Sequence, residues 1–213
     1  MGKADNNNRI ELSKMVEICI ENDIDISTFL EIGSKDGEDS EYIRQKLNLS
    51  EENIFILEAH PLFYKKIKKK YPNFNLYNIA AWNKNGKVPF NCTKGMSDGR
   101  SSILNRDIYI ENYLSIAVDS RRVDHMINNE FMKQIDLVKL DVEGASFEVL
   151  EGFGESLRSI KIIQVETEQY QIWEGQKTSV EVYRLLEDND FKKIWELKLG
   201  KTQIDSIWIR NEN

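Results

Sequence analysis

The chain has 213 residues, room for one sizeable domain and little for two. Hydrophobic residues make up 40% and charged residues 31%, the balance of a soluble globular protein rather than a disordered one. A formal net charge of −7 speaks against a nucleic-acid partner, because such binding rests on neutralising phosphates with Lys and Arg.

The elements follow in chain order. "IELSKMVEICIENDI" places apolar residues at helical spacing and predicts an N-terminal helix within an extension over residues 1–27. Cys19 lies in it; with Cys92 it makes two cysteines far apart and without metal-ligand spacing, which fits a reducing, cytoplasmic setting. "STFLEIG" reads as a short buried strand. "SEYIRQKLNL" reads as an amphipathic helix capped by Ser40. "NIFILEA" is a second strand, and Pro61 then opens a helix whose lysines, in "YKKIKKKYP", form a solvated face. "FNLYNIAAW" reads as a third strand. From Lys84 to Asn129 the pattern is irregular, with "KVPFNC" and "SIAVDS" as extra strands around the loop "KGMSDGRSS". "IDLVKLD" is a near-continuous apolar run, typical of a parallel strand covered on both faces. "SFEVLEGFGESLRS" is helical with breaks at Gly152 and Gly154, "IKIIQVE" a fifth strand and "SVEVYRLLEDND" a helix. "FKKIWELK" and "QIDSIWIR" close the chain as a hairpin. No apolar run approaches the roughly 18 residues a membrane span needs. The alternation predicts one α/β domain over 1–213, a doubly wound, mostly parallel sheet with an antiparallel C-terminal hairpin strand.

In such sheets ligands bind at the carboxyl ends of the strands. "EIGSKDG" stands at one of them. Gly33 and Gly37 lack the middle glycine of a dinucleotide fingerprint, and Glu31 would repel a pyrophosphate but suit a cationic amine. A purely structural turn is the alternative. Glu58 ends the second strand where an acid can accept from both hydroxyls of a ribose. Asn78, Ala80 and Ala81 end the third with side chains small enough for a flat base to lie against the backbone. Asp141 and Glu143 follow the fourth strand and share a side if the strand continues that far; buried carboxylates there are costly unless they bind something, though Glu143 as a helix cap competes.

The block "DLVKLDVEGASFEVLEG" resembles the FkbM family of S-adenosylmethionine-dependent methyltransferases. The matching positions are Lys139 to Ala145, then Val149, Leu150 and Gly152. Glu31, Gly33 and Gly37, the strand end "EAHP", the "AAW" segment and the pair Ser101 and Ser102 also match. Ser146 departs from the acid usual there, so no role for that acid carries over. The resemblance implies a class I methyltransferase fold with S-adenosyl-L-methionine as cofactor. It places Glu31, Gly33, Ser34, Asp36 and Gly37 at the methionyl and ribose portion. Glu58, Ala59 and His60 fall at the ribose and cofactor edge, and Asn78, Ala80 and Ala81 at adenine. Ser101, Ser102 and Asp141 complete the cofactor set. It implies O-methylation of a sugar, glycan or natural-product hydroxyl. Asp141 is the first candidate for general base and Glu143 the second; Glu166, Glu168 and His125 are candidate acceptor ligands. Asp141, Glu143 and Glu166 could alternatively hold Mg²⁺, and the metal-free reading is preferred. A non-catalytic protein of this fold and a nicotinamide-dependent oxidoreductase are the alternatives.

Overall fold

The computed structural model describes residues 3–93, 99–106, 113–129 and 131–211. Seven strands form the main sheet: β1 (Phe29–Ile32), β2 (Ile54–Leu57), β3 (Asn75–Tyr77), β7 (Leu137–Leu140), β8 (Ile162–Glu168), β9 (Phe191–Leu199) and β10 (Gln203–Arg210). Their order is β3-β2-β1-β7-β8-β10-β9, in which β10 runs antiparallel to both of its neighbours and every other pairing is parallel. The order reverses direction at β1, beside β7, the switch point at which ligands gather in open sheets.

Period-two alternation sorts each strand onto two covers. Leu30, Ile32, Val138, Leu140, Ile163 and Val165 face one apolar core, packed with Val123, Val149, Leu150, Val182 and Leu186. Those residues come from α4 (Val123–Asn128), α5 (Ser146–Glu151) and α6 (Ser179–Asp188). Phe29, Ile54, Ile56, Leu137 and Ile162 face the other, beneath Leu12 and Met15 of α1 (Lys3–Glu21), Ile43 of α2 (Glu38–Lys46) and Ile67 of α3 (Pro61–Lys70). Helices on both faces explain why the parallel strands read as continuous apolar runs.

The segment expected as one third strand divides. β3 ends at Tyr77, and Ala80–Ala81, as β4, pairs with β6 (Tyr113–Arg121), itself antiparallel to β5 (Gly86–Thr93). This second, three-stranded sheet is built from much of the irregular stretch after Lys84. Within the loop "KGMSDGRSS", positions 94–98 lie outside the described residues. Ser40 is not the cap of α2. Gly37 holds the N-cap position with φ +76°, and Ser40 inside the helix turns its hydroxyl onto Glu31.

Candidate functional site

A cavity of about 240 Å³ opens at the carboxyl ends of β1, β2 and β7. One end is apolar, walled by Phe63, Ile79, Ala80, Ala81 and Phe90. The other is acidic, with Asp141, Glu143 and Glu166. In the strand order β3-β2-β1-β7-β8, Glu58 and Ala59 at the end of β2 stand between those groups, and Gly33, Lys35, Gly99, Ser101 and Ile103 also line the cavity.

Glu58 is held before any ligand arrives. Its Oε2 accepts the backbone N–H groups of Ser34 and Lys35 at 3.1 and 2.9 Å, and its Oε1 accepts that of His60 at 2.7 Å. Burial raises its carboxyl above the ordinary range, and those three N–H groups pull it back. Three of a carboxylate's roughly four lone-pair directions are thus taken and the rest remain for hydroxyl donors. Asn78 supports the same corner, donating to the carbonyls of Glu58 and Ala59 at 2.8 and 3.1 Å, and does not line the cavity.

The glycine loop owes its sharpness to packing. A Cβ on Gly33, at φ +82°, would stand 1.8 Å from the carbonyl oxygen of Asp141, so the end of β1 touches the chain leaving β7. Glu31 points beneath the loop, fully buried, its Oε2 accepting from Ser34 at 2.8 Å and from Ser40. Burial pushes Glu31 up to about 8, with Lys139 opposing. It supports the loop from below rather than lining the cavity. Ser34 also accepts the N–H of Gly37 at 3.1 Å, and Asp36 accepts that of Glu38 at 3.1 Å, so both are loop-builders.

β7 ends at Leu140, one residue before the acids, so strand alternation is not what joins them. Glu143 and Gly144 adopt left-handed φ of +50° and +89°, and this turn brings carboxylate oxygens of Asp141, Glu143 and Glu166 within 4.8 Å of one another. Ser102 fixes the turn by donating to the Glu143 carbonyl at 2.7 Å. A Cβ on Gly144 would lie 2.3 Å from the Trp173 ring, which is buried and serves packing. Burial first, then the charges of Asp141 and Glu168, push Glu143 up to about 8. Glu166 is raised well above its usual range by burial and then by Asp141 and Glu143, although Gln203 of β10 donates to it at 2.6 Å.

Ser34, Asp36, Gly37 and Ser102, like Glu31 and Asn78, stay outside the lining, and so do three further expected site residues. His60 caps α3, its Nδ1 accepting from the Leu62 N–H at 3.2 Å while its ring packs on Phe63 at 4.3 Å; burial lowers its pKa. Glu168 is buried against Gln176, outside the lining, and burial raises it to about 7. His125 is exposed on α4, apart from the cavity. Sequence reasoning overlooked Lys35, Ile103, the hydrogen bond from Gln203 to Glu166 and the charge of Asp205 opposite it. Their contacts arise from loop placement and from the β8–β10 register, Glu166 opposite Asp205, which no local motif announces.

The chemistry of this lining fits a ligand with a flat apolar base, a diol and a cationic centre: an apolar slot, then a pinned carboxylate, then a group of acids. A profile of the Methyltransferase FkbM domain matches residues 31–193. The 2-O-methyltransferase NoeI of Sinorhizobium fredii (strain NBRC 101917 / NGR234) is 28% identical over 162 residues, a match covering 69% of this chain and 65% of that protein. Magnesium protoporphyrin IX methyltransferase (ChlM) of Synechocystis PCC 6803, solved with bound SAM, superposes with a TM-score of 0.54 at 9% identity, over 99% of this chain and 85% of that one. N-methyltransferase NodS of Bradyrhizobium japonicum WM9 gives 0.55 at 8% identity, over 98% and 99%. Those two likenesses concern the fold, which is that of class I methyltransferases. With the profile covering most of its length, the chain belongs to the FkbM methyltransferase family.

Proposed function

We propose that this protein is an S-adenosylmethionine-dependent O-methyltransferase acting on a hydroxyl of a sugar, glycan or related natural product. The observation that carries the reading is the cavity itself, in which an apolar slot, a pinned Glu58 and the acids Asp141, Glu143 and Glu166 follow one another. Family membership favours methyl transfer over the nicotinamide alternative, and the 2-O-methyltransferase activity named for NoeI favours oxygen as the acceptor atom.

Bound S-adenosylmethionine supplies an electrophilic methyl group on a sulfonium, which becomes a neutral thioether as the acceptor oxygen takes the methyl. In this reading Phe63, Ile79, Ala80 and Ala81 enclose the base, Glu58 holds the ribose hydroxyls, and Glu143 receives the proton that the acceptor hydroxyl loses. Asp141 is the weaker base candidate, because the Lys139 ammonium stands 3.4 Å from its carboxylate. Glu143, pushed up to about 8, is matched to proton uptake near neutral pH.

Calorimetric titration with S-adenosylhomocysteine tests the cofactor site: the intact protein binds and Glu58→Ala does not. Glu143→Gln then retains that binding while methyl transfer to an accepted sugar falls by about 10²–10⁴-fold, the usual contribution of a positioned base. Undiminished S-adenosylhomocysteine binding by Glu58→Ala, or full transfer by Glu143→Gln, would reverse these assignments. Cofactor binding with no transfer to any hydroxyl tried would favour a binding protein of the same fold.

A further inference from the structure

Lys139 is the only Lys or Arg among the described residues that is buried, 4% exposed, and it sits on β7 in the middle of the main sheet. It does not line the cavity. Its Nζ lies 3.7 Å from Glu31 of β1, 3.1 Å from Asp39 of α2 and 3.4 Å from Asp141, which does line it. Glu11 of α1 and Asp205 of β10 add two more buried acids acting on this group of charges. Gln164, the register partner of Lys139 on β8, adds a buried carbonyl oxygen. Glu11 and Asp205 lie outside the residues matched by the family profile, so this chain surrounds the lysine with acids drawn from both of its ends. Burial alone would pull the Lys139 pKa down, but Asp39, Asp141, Glu31 and Glu11 together hold it well above its ordinary value, so it stays an ammonium.

We propose that Lys139 is a positioning residue that sets the charge met by the cofactor, offsetting the acids behind the cavity so that the sulfonium is not held too tightly. The inference rests on the cofactor reading above. Methyl transfer begins with a sulfonium cation and ends with a neutral thioether. A strongly anionic enclosure would therefore stabilise the reactant and not the product, and binding energy spent on the ground state raises the barrier. An ammonium 3.4 Å from the cavity-lining Asp141 counters that pull while fixing the carboxylate's direction. Lys139 acts through Asp141 and Glu31 rather than on the substrate.

The test compares two ligands that differ in charge at sulfur. S-adenosylmethionine and S-adenosylhomocysteine are each titrated calorimetrically, at pH 8.5, into the intact protein, Lys139→Met and Asp39→Asn. The ratio of the homocysteine Kd to the methionine Kd is expected to rise about tenfold in Lys139→Met, the order of one unit charge acting through a partly screened interior. In Asp39→Asn, where the ammonium is less compensated, the ratio is expected to fall. A role confined to stability weakens both ligands alike and leaves the ratio fixed; a fixed ratio, or a fall in Lys139→Met, overturns the proposal. If Lys139→Met does not fold, Asp39→Asn decides, since that side chain is 24% exposed. An intact protein that binds neither ligand overturns the cofactor reading, an outcome distinct from binding both with an unmoved ratio.

Discussion

Glu143 stands in a left-handed backbone conformation, φ +50°, that L residues rarely adopt. The turn aims its carboxyl at Asp141 and Glu166, and burial, then the charges of Asp141 and Glu168, keep it protonated below about pH 8. A base must be deprotonated to work, so kcat/KM is expected to climb tenfold per pH unit below that value and level off above it; a flat profile from pH 6 to 9 would remove Glu143 from the role. The same three acids are close enough for a divalent cation, but the Lys139 ammonium at 3.4 Å from Asp141 repels one and Gln203 already occupies Glu166. Dialysis against a chelator is therefore expected to leave transfer unchanged. Activity lost on chelation and restored by Mg²⁺ would assign these acids to metal binding.

At the scale of elements, the Gly33 loop joins β1 to α2 and also spaces β1 from β7. Gly33→Ala would drive a methyl into the Asp141 carbonyl, 1.8 Å away, at a φ that disfavours any side chain. The expected outcome is a drop in thermal midpoint together with lost S-adenosylhomocysteine binding. A helix terminus gives a milder case. Thr178 and Glu181 form a capping box at the start of α6, and Thr178→Ala should reduce stability by about 1 kcal/mol without affecting binding. Strands and helices were legible because each face repeats its own period: "IDLVKL" became β7, and "QIDSIWIR" became β10. Ser40 deceived because a serine before an apolar run looks like a cap, whereas a buried Glu31 had claimed its hydroxyl. "FNLYNIAAW" deceived because periodicity cannot tell which sheet a residue joins. Glu58, Asp141 and Glu143 were legible as acids at strand ends; that Glu31 and His60 do not line the cavity depends on packing that spacing alone does not encode.

Across the whole molecule, buried acids set how stability responds to pH. Glu31 and Glu143 are raised to about 8 in the folded state, above their unfolded values, so the fold binds more protons than the unfolded chain between roughly pH 4.5 and 8. Stability then falls as pH rises through that window. The ligand-free protein is expected to melt at a higher temperature at pH 5.5 than at 8.5, and a reversed order would show that these carboxyls titrate normally. The C-terminal hairpin, mostly beyond the family match, is integral: Ile207 and Trp208 are fully buried and β10 pairs along the length of β8. A chain ended before Phe191 should be insoluble or unfolded, as read by circular dichroism.

The small sheet stands in a different relation to the rest. β4, β5 and β6 hydrogen-bond among themselves and not into the main ladder, yet Ala80, Ala81 and Phe90 reach the cavity wall. Sequence drift there can alter that wall without disturbing the strands that carry Glu58 and Asp141. Such a division makes the exposed positions of β5 and β6, with Phe90, Ser101 and Ser102 held fixed, the natural place for a laboratory library: every folded clone should still bind the same cofactor.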